Sequence, residues 1–264
     1  MGNARRCWTA QGWSVPLSLD YTALMRRTLP LTLCLLTLAL AACKAGGSSS
    51  VSTASGMHVN VSSFATQTAT GSIETRAKAG DAQAAFELGA MYHDGAGKPK
   101  DFGQAMHWFQ VAADKGESRS QFNMGLMFYK GEGVVPDYTQ SLAWFQKSAA
   151  QNNPRALFQL GLQAYLGQGE TADFTAAKKY FLQAAQMNVP DAEFNVGVME
   201  VKGQGGPADL QDAYAWFNVS KAQGFAQAAA ALTKLDTALT ADQKKAAETH
   251  AAELEMNMRL SVGQ

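Results

Sequence analysis

Residues 95–98, Gly-Ala-Gly-Lys, have the make-up of the end of a phosphate-cradling loop, in which glycine N–H groups and a lysine ammonium meet a nucleotide. Such a loop follows a β-strand, whereas a helical pattern precedes this one. Gly95 and Gly97 recur as Gly131/Gly133, Gly167/Gly169 and Gly203/Gly205, but Lys98 is replaced by Val134, Glu170 and Gly206. The glycines read as a turn, and no nucleotide is expected. The remaining reactive side chains are no more promising. His58, His93, His107 and His250 share no metal-ligand spacing, and residues 44–264 contain no HExxH, CxxC or SxxK. His93 lies in phase with Tyr129, Tyr165 and Val201, which makes it a packing residue. No catalytic residue, metal or cofactor is expected, and the chain reads as a non-enzyme.

The three cysteines belong to the N-terminal region. Met25-Arg26-Arg27 begins a basic start, followed by an almost wholly apolar run from Leu29 to Leu40. As a helix that run covers about 18 Å, too short for a hydrocarbon core of about 30 Å and suited to a signal-peptide core. Leu40-Ala41-Ala42-Cys43 resembles the lipobox of bacterial lipoproteins, which implies that Cys43 is lipidated and becomes the mature N-terminus. Residues 1–24 are then an upstream segment that is not translated, residues 25–42 the signal peptide and residues 43–71 a Gly/Ser/Thr tether too poor in large apolar groups to fold. Processing removes Cys7 and Cys34 and leaves no thiol for a disulfide or a nucleophile. The whole chain has equal numbers of basic and acidic residues, 22 each; losing Arg5, Arg6, Arg26, Arg27 and Asp20 leaves 18 against 21. A weakly acidic chain disfavours nucleic acid as a partner.

From residue 81 a period of 36 residues dominates. Phe86 recurs as Phe122, Phe158 and Phe194, and Gly89 as Gly125, Gly161 and Gly197. Trp108-Phe109 recurs as Trp144-Phe145, Tyr180-Phe181 and Trp216-Phe217, an aromatic pair at one phase and therefore core. Each unit predicts two helices, the first over about Asp81–His93 and the second over about Asp101–Lys115. Asp101, Asp137, Asp173 and Asp209 stand at the N-cap of the second, and small Ala105, Ser141, Ala177 and Ala213 permit close helix approach. Gly116, Asn152, Asn188 and Gly224 suit the left-handed residue that ends a helix, and Gly80 fits the same phase behind a degenerate helix at Ile73–Lys78. Residues 226–264 read as a half repeat and a capping helix opened by Thr240 or Asp242.

The pattern A-x-F-x-LG-x-x-Y-x-x-G-x-G, then D, then A-x-x-WF-x-x-A-A resembles the Sel-one-like repeat family, a subclass of tetratricopeptide-like helical repeats. The resemblance implies an all-α fold, a right-handed α-solenoid of antiparallel helix pairs, with four repeats and an N-terminal cap over 72–225. It also implies that the first helices line a concave groove holding a protein or peptide partner. Spacings near four place Gln83, Glu87 and Met91 on one helix face, and in later units Arg119, Asn123 and Met127, then Arg155 and Gln159, then Asn195 and Met199. These are the candidate contact residues: arginines for carboxylates, amides for peptide backbone, methionines for adaptable apolar contact. The expected protein is a monomeric scaffold, tied to the membrane only through lipid on Cys43, at the outer membrane facing the periplasm. A surface-exposed host-interaction or virulence role and, more remotely, a β-lactam-hydrolysing activity known among cysteine-rich relatives are the alternatives.

Overall fold

The computed structural model describes residues 72–262; the expected leader, Cys43 and tether lie outside the described residues. Eleven helices and no strand occur among the described residues. Helix α1 (Ile73–Lys78) precedes four helix pairs: α2 (Ala82–Asp94) with α3 (Phe102–Ala113), α4 (Ser118–Lys130) with α5 (Tyr138–Ala149), α6 (Pro154–Leu166) with α7 (Phe174–Ala185), and α8 (Pro190–Lys202) with α9 (Leu210–Ala222). Helices α10 (Ala226–Leu235) and α11 (Ala241–Val262) close the chain. From α1 to α10 each element packs on the next, so the array is an α-solenoid.

Helix ends follow local chemistry. Asp101, Asp137, Asp173 and Asp209 cap the second helices by accepting from backbone N–H groups two or three residues on. The second helices run out into a left-handed residue, and where Gly116 and Gly224 serve the outer units, Asn152 and Asn188 adopt φ of 58° and 57° in the inner ones. Asparagine is the side-chain-bearing residue that best tolerates this region. Thr240 and Gln243 form a reciprocal capping box at the start of α11: the Thr240 N–H donates to Gln243 Oε1 and the Gln243 N–H to Thr240 Oγ1.

Two glycine positions hold the array together by close approach. A Cβ at Gly89, Gly125, Gly161 or Gly197 would sit 2.5–2.7 Å from a ring carbon of Phe109, Phe145, Phe181 or Phe217. Each of these phenylalanines is essentially fully buried and also meets the ring of Phe86, Phe122, Phe158 or Phe194 at centroid distances of 5.3–6.0 Å. The second glycine of each turn does more than reverse the chain. At Gly169 and Gly205 a Cβ would lie 2.7 and 2.6 Å from the carbonyl oxygens of Tyr138 and Phe174, at the start of the preceding unit's second helix. The turn is therefore also the joint between units.

The aromatic pair divides its labour. All four phenylalanines are core, and Trp144 and Trp216 are buried, but Trp108 and Tyr180 are half-buried. Trp108 packs on the small cluster that Ala77 of α1 forms with Ala84, Ala85, Leu88 and Ala112, whereas Leu254 of α11 packs over the cluster that holds Trp216. The terminal helix also departs from a simple continuation of the repeat. It packs chiefly along α9, through Ala247, Ala251 and Met258. The reason lies in α9, whose outward stripe carries Ala215 and Val219 where α7 carries Lys179 and Gln183.

Candidate partner-binding surface

The first helices α2, α4, α6 and α8 present one side chain per unit at each level of a shared face. Gln83, Arg119 and Arg155 are exposed, and Glu87, Asn123, Gln159 and Asn195 are half-buried beneath them. The third expected level is not on this face. Met127 and Met199 are each 1% exposed and belong to the core, Met127 against Met124 and Trp144 and Met199 against Phe181 and Trp216; Met91 is half-buried. A step of four residues turns a helix through about 400°, so two such steps drift about 80° off the starting line. The face continues instead at a step of three, through half-buried Ala90, Leu126 and Leu162, while Val198 at the same level of the last unit is buried in the core; it ends at exposed Asp94, Lys130, Leu166 and Lys202. Leu126 and Leu162 were recoverable from the sequence by following the spacing i, i+4, i+7, i+11.

Successive first helices touch through side chains, which makes the face continuous. The Arg119 guanidinium lies 4.2 Å from the centroid of the Phe86 ring, its Nε donates to Glu117 Oε1 at 2.7 Å, and its Nη2 donates to Gln83 Oε1. Burial works against the Glu117 charge, but bonds from Ser120 and Arg119 outweigh it and hold the carboxyl below its usual range. Arg119 is thus engaged inside the protein. Arg155, at the same position one unit on, is exposed and makes no ion pair among the described residues. At the turn end of the face, Lys202 Nζ donates to the Tyr165 hydroxyl at 3.1 Å, which donates to Gln204 Oε1 at 3.0 Å. His93 does pack, edge-on to Phe102, and also bridges units by a 3.1 Å contact from Nε2 to Glu132 Oε2.

Charged groups gather beneath the last unit. Lys178 and Glu200 pair at 2.6 Å with little solvent access. Glu193 is fully buried; its Oε1 accepts from Gln223 Nε2 and its Oε2 has no partner. Burial pushes this carboxyl up to about 7, and the neighbouring Glu255 and Asp191 charges push the same way. That value suits a general acid or base, but the enclosed carboxyl can reach no substrate. The same position in the second unit is Gln121, which accepts from Gln151 Nε2 and donates to the Ala113 carbonyl. The site is therefore a packing pair in which one copy is ionisable. No group of three or more His, Cys, Asp or Glu among the described residues could hold a metal ion, and no helix among them is long and apolar enough to cross a membrane.

Four consecutive copies of the Sel1 repeat match the chain, at residues 82–117, 118–153, 154–189 and 190–225. The crystal structure of a protective antigen present in uropathogenic Escherichia coli strains, which displays an SLR fold, superimposes with a TM-score of 0.63 at 29% identity, covering 72% of this chain and 40% of that one. A Sel1 repeat protein from Oxalobacter formigenes superimposes with a TM-score of 0.57 at 31% identity, covering 62% of this chain and 47% of that one. The chain thus spans less than half the length of either. No curated protein matches it.

Proposed function

The chain belongs to the Sel1 repeat family, whose solenoids commonly serve as protein-interaction scaffolds, and from that membership we propose that it is a lipid-anchored scaffold of the bacterial cell envelope. The observation that carries the binding reading is the first-helix face. Asn123, Gln159 and Asn195 form a row of amides able to bond a peptide backbone, and half-buried Leu126 and Leu162 lie beside it as apolar contacts. Arg155 is the uncommitted cation on this face and is assigned to a partner carboxylate. Lipid on Cys43 would hold the solenoid at the outer membrane, facing the periplasm. The bonded, stacked state of Arg119 moves the test to the next unit.

Arg155→Glu with Gln159→Ala is expected to abolish capture of the partner in cells, read by crosslinking and mass spectrometry against wild type, and to leave the melting temperature unchanged. Loss of capture with an intact fold supports the groove. Equal capture by both proteins rejects it. Similarity to a protective antigen favours one second reading, a surface-exposed protein that meets the host. Protease accessibility of the solenoid on intact cells separates the two readings.

A further inference from the structure

Apart from the first-helix face, the exposed side of α7 carries a cleft of about 390 Å³, lined by Lys178, Lys179, Leu182, Gln183 and Gln186, with Gly205 at one end. Thirty-six residues further on, these positions are Tyr214, Ala215, Asn218, Val219 and Ala222 of α9, and Ala241, the first residue of α11. That second surface is the one α11 covers within the same chain. Ala215 and Val219 are wholly buried, whereas Lys179 and Gln183 are exposed. Asp212 meets His250, and Ala222 lies beside Met258 and Arg259, so α9 and α11 run in the same direction. The cleft on α7 is thus a vacant copy of a helix-docking surface, changed from apolar to basic.

We propose that the cleft takes the outer face of α11 from a second copy of the chain. That outer face carries Thr249, Glu253, Met256 and Leu260 at spacings of i, i+4, i+7 and i+11. The cleft repeats the spacing with Thr175, Lys179, Leu182 and Gln186, and each stripe is about 16 Å long. Laid in the same direction, Glu253 meets Lys179 and Met256 meets Leu182. Both charges are uncommitted: neither Lys179 nor Glu253 has a salt-bridge partner among the described residues. Met256 and Leu260 are 59% and 63% exposed, the exposed large apolar side chains of this helix. The face that α11 already uses, Ala247, Ala251 and Met258, fits the small apolar stripe of α9 and would leave Lys179 unmatched. The contact joins unlike surfaces, so copies associate head to tail unless two engage reciprocally.

Sedimentation of the full-length chain over a concentration series tests this. The wild-type mass is expected to rise with concentration. Lys179→Glu is expected to weaken the association about tenfold or more, because it sets like charges together. Adding Glu253→Lys to that variant is expected to restore it, and circular dichroism checks that both variants stay folded. A wild type that remains monomeric at every concentration overturns the proposal, and means that solvent or another protein's helix faces the cleft. So does an association that Lys179→Glu leaves unchanged.

Discussion

Phe181→Ala is expected to lower the free energy of unfolding by about 3–5 kcal/mol. The ring is 1% exposed and fills the space left by Gly161, whose Cβ, if present, would lie 2.6 Å from two ring carbons. Phe158 packs on it at a centroid distance of 5.8 Å and loses that partner as well. Neighbours can collapse only partly, because the surrounding Ala177, Ala184 and Ala185 are already small and fully buried. The complementary change, Gly161→Ala, removes no group and still destabilises, by about 1–3 kcal/mol through overpacking. It does so although alanine is the better helix former by about 1 kcal/mol. Urea unfolding followed by circular dichroism measures both. A Gly161→Ala midpoint above wild type would falsify the ring-in-glycine seat.

The second large effect is a gain. Glu193→Gln is expected to stabilise the protein by on the order of 3 kcal/mol at pH 8 and to change nothing at pH 4. The Glu193 carboxyl rises from 4.5 to about 7 on folding, chiefly through burial. Between those values the folded chain holds a proton that the unfolded chain has released. Stability therefore falls as pH rises from about 4.5 to about 7, and is flat above. Protonated, Oε2 supplies the kind of donor that Gln121 Nε2 offers the Ala113 carbonyl two units earlier. Ionised, it is a buried charge facing Glu255 and Asp191, with only the Gln223 amide to offset it. Glutamine supplies the neutral donor at every pH. Denaturant titrations of both proteins from pH 4 to pH 8 measure the effect; parallel curves would sink it.

Much of the solenoid was legible because its determinants are local and repeated. The capping aspartates, the left-handed Asn152 and Asn188 and the two-helix phase each depend on a few neighbouring residues, and four registered copies separate signal from accident. The candidate face was only partly legible. Its upper two levels, Arg155 and Gln159 among them, follow from spacing, but the third required following helical drift to Leu126 instead of Met127. The engagement of Arg119 was hidden because Gln83 and Phe86 lie one whole unit away in sequence. The course of α11 was hidden for a related reason. The stripe that receives α11 has lost its polarity relative to α7, at Ala215 and Val219 among other positions, and substitutions of this kind gain meaning only when the repeats are laid over one another.

The joint made by the second turn glycine bears on how such a chain can grow. Gly133, Gly169 and Gly205 all rest on the backbone at the start of the previous unit's second helix, where side-chain identity matters little. A duplicated stretch of 154–189 would arrive with its own glycine joint and its own seat for the next one. The Ala215 and Val219 stripe would still mark the last pair and still receive α11. Array length is thereby uncoupled from the identity of its ends, and gene duplication can lengthen the scaffold without first inventing a new interface.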